Sequence, residues 1–69
     1  MKIKYDPIVD AAYITLADDE SPSSFGFTYA CDPIEVDGQI HLDFDVSGLL
    51  TGIEILQASK KLPPHLLKR

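Results

Sequence analysis

Apolar and polar residues alternate with period two along most of this chain, the pattern of half-buried strands. From Met1 to Tyr5, Ile3 and Tyr5 fall on one face and Lys2 and Lys4 on the other. Asp6-Pro7 ends that run, because Pro7 has no N–H and biases Asp6 toward an extended shape. Ala11 to Ala17 comes next, with Ala12, Ile14 and Leu16 on one face and Tyr13 and Thr15 on the other. Its β-branched and aromatic residues favour a strand over a helix. Asp18 to Ser24 is polar, contains Pro22 and reads as a loop. Phe25, Phe27 and Tyr29 then alternate with Gly26, Thr28 and Ala30. That is a third strand with one aromatic face, and its side-chain-free Gly26 predicts close packing over that position.

Asp32-Pro33 is a further break. Ile34 to Val36 reads as a short strand, and Asp37-Gly38 is a tight-turn signal. Ile40 to Val46 alternates most clearly: Ile40, Leu42, Phe44 and Val46 toward the core, His41, Asp43 and Asp45 toward water. Val46-Ser47-Gly48 supplies a turn in which Gly48 can take positive φ. In the last strand, Leu49 to Leu56, Thr51, Ile53 and Ile55 lie on one side and Leu50, Gly52, Glu54 and Leu56 on the other. Apolar residues on both sides predict partial cover of both faces. Gln57 to Leu62 reads as one or two helical turns, ended by Pro63-Pro64.

The expected architecture is α+β: a small antiparallel β-meander of five or six short strands with a short C-terminal helix. Residues 1–62 form one strand-rich domain and 63–69 a Pro-started basic tail. Sequential pairing through tight turns is the economical topology.

The same residues carry a family resemblance. KIKYD (Lys2–Asp6), DAAYITL (Asp10–Leu16), HLDFDVSGLLTGIEIL (His41–Leu56) and ASKKL (Ala58–Leu62) make the chain resemble the uncharacterised bacterial family called domain of unknown function 2283. The resemblance spans nearly the whole chain. It implies a small strand-rich domain with a short C-terminal helix, and it brings no activity, cofactor or catalytic residue. The middle stretch, SPSSFGFTYACDP, departs from the family pattern in being longer and more aromatic.

Size and charge narrow the function. Sixty-nine residues, 45% of them apolar, support one small core and leave little room for an enclosed catalytic pocket as well. Eleven acidic residues against six basic ones give a net charge of -5. The basic residues sit only at the ends: Lys2, Lys4, Lys60, Lys61, Lys68 and Arg69. An acidic body of this kind repels nucleic acid and anionic membrane. Cys31 is the only cysteine, which points to a reducing compartment. No apolar run is long enough for a signal peptide or a membrane span, so a cytoplasmic location is expected.

Candidate chemistry is sparse. Asp43, Gly48 and Glu54 fall at positions one, six and twelve of a calcium-loop spacing, with Asp45 at three. The intervening Leu49 and Thr51 are poor ligands, and the run reads better as strand, turn, strand. Solvated carboxylates are the preferred reading, with Glu54 across from Asp43 or Asp45. His41, His65 and Cys31 lack the paired spacing of a zinc site. No base neighbours Cys31 in sequence to activate it. No cofactor and no enzymatic role are expected. The function read from the sequence is an unknown, non-enzymatic structural or protein-interaction module. The alternative is a small-ligand or divalent-cation-binding domain using the acidic hairpin 43–54. A homodimer is expected through the last strand or the C-terminal segment, with Leu50, Leu56, Leu62, Leu66 and Leu67 as interface residues.

Overall fold

The computed structural model describes residues 1–17 and 24–67. The loop expected at Asp18–Ser24, apart from Ser24, and the basic pair Lys68-Arg69 lie outside the described residues. Five strands form one antiparallel sheet: β1 (Lys2–Asp6), β2 (Ala11–Thr15), β3 (Phe25–Ala30), β4 (Ile40–Asp45) and β5 (Leu50–Leu56). A single-turn helix α1 (Pro33–Val36) precedes β4; α2 (Ala58–Lys61) and a 3-10 turn (Pro64–Leu67) follow β5.

The strand order is β1-β2-β5-β4-β3, which corrects the simple meander expected from sequence. β2 pairs with β5 instead of β3, so the sheet consists of two local hairpins-in-sequence, β1–β2 and β4–β5, joined through β5, with β3 added at the far edge. β5 is therefore central.

Directly paired residues share a face. One face carries Ile3 and Tyr5, Ala12 and Ile14, Ile53 and Ile55, Ile40 and Leu42, then Phe44, Phe27 and Tyr29. The C-terminal segment folds back on part of it. Ala12, Ile55 and Ala58 form the buried centre, with Tyr5, Ile14, Ile40, Ile53, Leu62 and Leu67 packed around them. The core thus sits over β1, β2 and β5 and thins out toward β3. Ile55, at 3% exposed, is its largest buried side chain among the described residues. The molecule is flat, 31 × 30 × 18 Å.

Three local readings change. Ile34–Val36 is helical, not a strand: Asp32 accepts from the Ile34 N–H through its side chain, Pro33 opens the turn, and Asp37 closes it at positive φ. A capping carboxylate followed by Pro at the first helical position outweighs two β-branched residues. Leu50 pairs with Phe44 across a register shift between Asp43 and Phe44. That extra residue returns Leu50 to the face of Ile53, not the opposite face. Val46, expected in the core, is exposed in the turn after β4.

Candidate functional site

On the polar face, neighbouring strands are tied by side chains. Tyr13 of β2 donates its phenol hydrogen to Asp43 Oδ2 of β4, 2.5 Å away, across the intervening β5. It can do so because β5 has Gly52 there; a Cβ on Gly52 would overlap the phenol oxygen. Thr28 of β3 donates to the other Asp43 oxygen at 2.6 Å. One carboxylate thereby links β2, β4 and β3. The Thr28 hydroxyl first, and Tyr13 second, hold the Asp43 carboxyl below the usual range. The Tyr13 phenol is pushed up to about 12, mainly by its bond to Asp43, with desolvation and the Asp43 and Glu54 charges adding. A phenol so held donates hydrogen bonds and is no base near neutrality.

Beside this relay, His41 Nδ1 and Glu54 Oε1 lie 2.9 Å apart. Glu54 is paired with His41 and Tyr13 in the sheet register, so it does not stand opposite Asp43 or Asp45 as expected. Asp45 is drawn away altogether. At 6% exposed, its carboxylate accepts from the Ser47 and Leu49 N–H groups and fixes the β4–β5 turn. Asp43, Asp45 and Glu54 are thus engaged in three separate sets of bonds. Among the described residues, no three His, Cys, Asp or Glu side chains are grouped to hold a metal ion. An open groove of about 520 Å³ near the β1–β2 turn is lined by Lys4, Asp6, Val9, Ala11, Tyr13 and Glu54. It offers mixed charge over an apolar floor, and no nucleophile beside a base.

A second polar set closes the core. Asp10, in the β1–β2 turn at φ 53°, accepts from the Tyr5 hydroxyl (2.8 Å), the Ser59 N–H (3.0 Å) and the Ser59 hydroxyl (2.7 Å). Its carbonyl accepts from the Ala58 N–H. Gln57, the residue before α2, makes no side-chain cap, so Asp10 caps this helix from 49 residues away in sequence. The Ser59 hydroxyl, then Tyr5 and the Ser59 N–H, lower the Asp10 carboxyl. At the other end of α2, Lys61 donates to the Val36 carbonyl at 2.9 Å.

The apolar face is unevenly covered. Beyond the reach of the C-terminal segment, Phe27 and Tyr29 are 52% and 56% exposed, and every residue of β3 is exposed. Phe25 corrects the single aromatic face expected for this strand: the register shift between Phe25 and Phe27 pairs it with Asp45, which returns it to the opposite face. Phe27 stacks on Phe44 with ring centroids 4.9 Å apart. Leu49 and Leu50 are exposed nearby in sequence and register. Gly26 is held closely, as its sequence suggests: a Cβ there would strike the main chain of Asp45, at the β3–β4 register shift. Of the residues expected at an interface, Leu62 and Leu67 are turned inward onto the core. Leu56 lies opposite Ala11, and Leu66 is half-buried. Leu50, the fifth, stands opposite Phe44 at the border of the exposed aromatic patch.

A family model described as Protein of unknown function (DUF2283) matches residues 2–59. The chain belongs to that family. No curated protein and no solved structure matches it. The DUF2283 segment contains every residue of the Tyr13–Asp43–Thr28 relay and both partners of the Asp10–Ser59 latch. The family's description names no activity.

Proposed function

We propose that this DUF2283 chain is a non-enzymatic protein-interaction module of the bacterial cytoplasm, acting as a homodimer. The aromatic half-face of β3 and β4 carries this reading. Contiguous exposed apolar area on a small domain marks an interaction site, and here Phe27 and Tyr29 stand more than half exposed on a stacked Phe27–Phe44 base. The polar face supports it from the other side, since its strongest groups are bonded to one another across strands instead of being aimed at a shared point. The location rests on the lone Cys31; no helix among the described residues is long and apolar enough to cross a membrane. The hairpin 43–54 as a cation or small-ligand site is the weaker reading, because Asp45 is spent on its turn.

The test is affinity capture from the native cell with mass spectrometry, comparing the native chain with a Phe27→Lys/Tyr29→Lys variant. Both side chains are exposed, so the variant should keep the native circular dichroism spectrum. A protein retained by the native chain and lost from the variant supports the reading. Equal retention by both overturns the assignment to this face.

A further inference from the structure

We propose that the outer edge of β3 pairs antiparallel with β3 of a second copy, giving a continuous ten-stranded sheet with the aromatic residues of both copies side by side. This deepens the interaction reading by naming the occupant of the aromatic edge. Three observations select a second copy.

The first is the main chain. β3 is the terminal strand of the sheet and, among the described residues, pairs only with β4. The Cys31 N–H donates to the Ile40 carbonyl, and the register continues unbroken from there to Phe27↔Phe44. In an antiparallel ladder the bonded positions alternate. Tyr29 and Phe27 therefore direct their main-chain groups at β4, and Thr28 and Ala30 direct theirs outward. An outward row of donors and acceptors is self-complementary about a two-fold axis.

The second is charge. Phe25-Gly26-Phe27-Thr28-Tyr29-Ala30 contains no charged residue, so like strands meet without like charges opposed. The other sheet edge, β1, carries Lys2, Lys4 and Asp6, the kind of charges that keep edges apart. On a chain of net charge -5, β3 is the neutral approach.

The third is area. At about 200 Å² per whole aromatic side chain, the exposed parts of Phe27 and Tyr29 total about 220 Å² per copy. With the strand main chain and Leu50, two copies stay below the ~1,200 Å² of standard specific interfaces, in the range of weak, concentration-dependent association.

The experiment is light scattering behind size exclusion over a concentration series reaching millimolar, with amide hydrogen exchange read by NMR. The expected result is a mass that rises from 7.6 kDa to twice that value, with slowing of the Thr28 and Ala30 amides that tracks the rise. Ala30→Pro removes an outward N–H and is tolerated on an edge; it should leave the melting temperature of the dilute protein unchanged and abolish the mass increase. Tyr29→Lys should do the same through charge, and serves if the proline variant does not fold. A 7.6 kDa mass at every concentration overturns the pairing, as does a dimer in which the Thr28 and Ala30 amides exchange at the dilute rate. If the chain stays monomeric while the Phe27→Lys/Tyr29→Lys variant still loses a captured partner, self-pairing falls and the interaction reading stands.

Discussion

The ring of Tyr13 lies where a side chain at Gly52 would stand. The two residues are directly offset across the β2–β5 ladder, with Tyr13 opposite Glu54 and Gly52 opposite Thr15. The absence of a side chain on β5 lets a phenol on β2 reach a carboxylate on β4.

Gly52→Ala should therefore dislodge Tyr13 and break its bond to Asp43. Losing that bond should cost about 1.5–3 kcal/mol, the range for hydrogen bonds to charged groups. Tyr13→Phe removes the hydroxyl without displacing the ring and should cost less than Gly52→Ala. Chemical denaturation of the two variants checks the order; equal or reversed losses would show that Gly52 does not serve Tyr13.

Tyr13 and Asp43 set opposite pH limits. The phenol is raised in the folded state, to about 12, so its contribution is complete below the unfolded value and is lost as pH climbs through the folded one. The Asp43 carboxyl is lowered, so its contribution is complete above the unfolded value and is lost as pH falls through the folded one. Absorbance titration of the phenols in native protein should show one tyrosine ionising near 12. In Asp43→Asn that late step should move down toward the ordinary tyrosine range.

Asp10 should matter more than any local capping residue. Asp10→Ala removes three hydrogen bonds that join β1, the first turn and α2, whereas Ser59→Ala removes one. Thermal melting should rank Asp10→Ala below Ser59→Ala, and both below the native chain. Because the Asp10 carboxyl is lowered, the gap should close as pH falls through its folded value. A gap unchanged in acid would remove charge from the account.

Truncation of Ile55 should hurt more than truncation of Phe44. Ile55→Ala opens the one closed part of the core and should cost about 2–5 kcal/mol. Phe44 is half-buried and stacks on an exposed ring, so Phe44→Ala should cost less despite the larger volume removed. Urea midpoints for the two variants decide between a core centred on β5 and one centred on the aromatic strand pair.

The strands themselves were legible because each reports its alternation locally. Ile40 to Phe44 and Phe27 to Tyr29 lie where period two places them, and Phe25 is displaced by the register shift at Gly26. Their order was not, since β2 meets β5 through contacts separated by about forty residues and nothing in either run names its neighbour. Gly52 carried a signal that went unused: a glycine inside an apolar strand marks a close approach, the argument that succeeds at Gly26. Leu50 changed faces because one extra residue, Thr51, separates it from Gly52 and breaks the period-two reading between them. The latch was visible only as two motif fragments, one holding Asp10 and the other Ser59, with the distance between them closed by the fold. Asp45 looked like a wet-face carboxylate by alternation; its position at a strand end, two residues before Ser47, is what turns it into the cap of its own turn.

β5 is made after the other four strands, yet it is the one both halves need. Until it emerges, β2 has a neighbour on one side only and β4 can rest only on β3. The growing chain is then two unconnected ribbons, each too thin to hold itself together in water. Placement of β5 brings Gly52 under Tyr13, Glu54 beside His41 and Ile55 beneath Ala58 in one movement. A strand in that position leaves no stable halfway structure, so the domain is either wholly assembled or offers a partner, a chaperone or a protease several open edges at once.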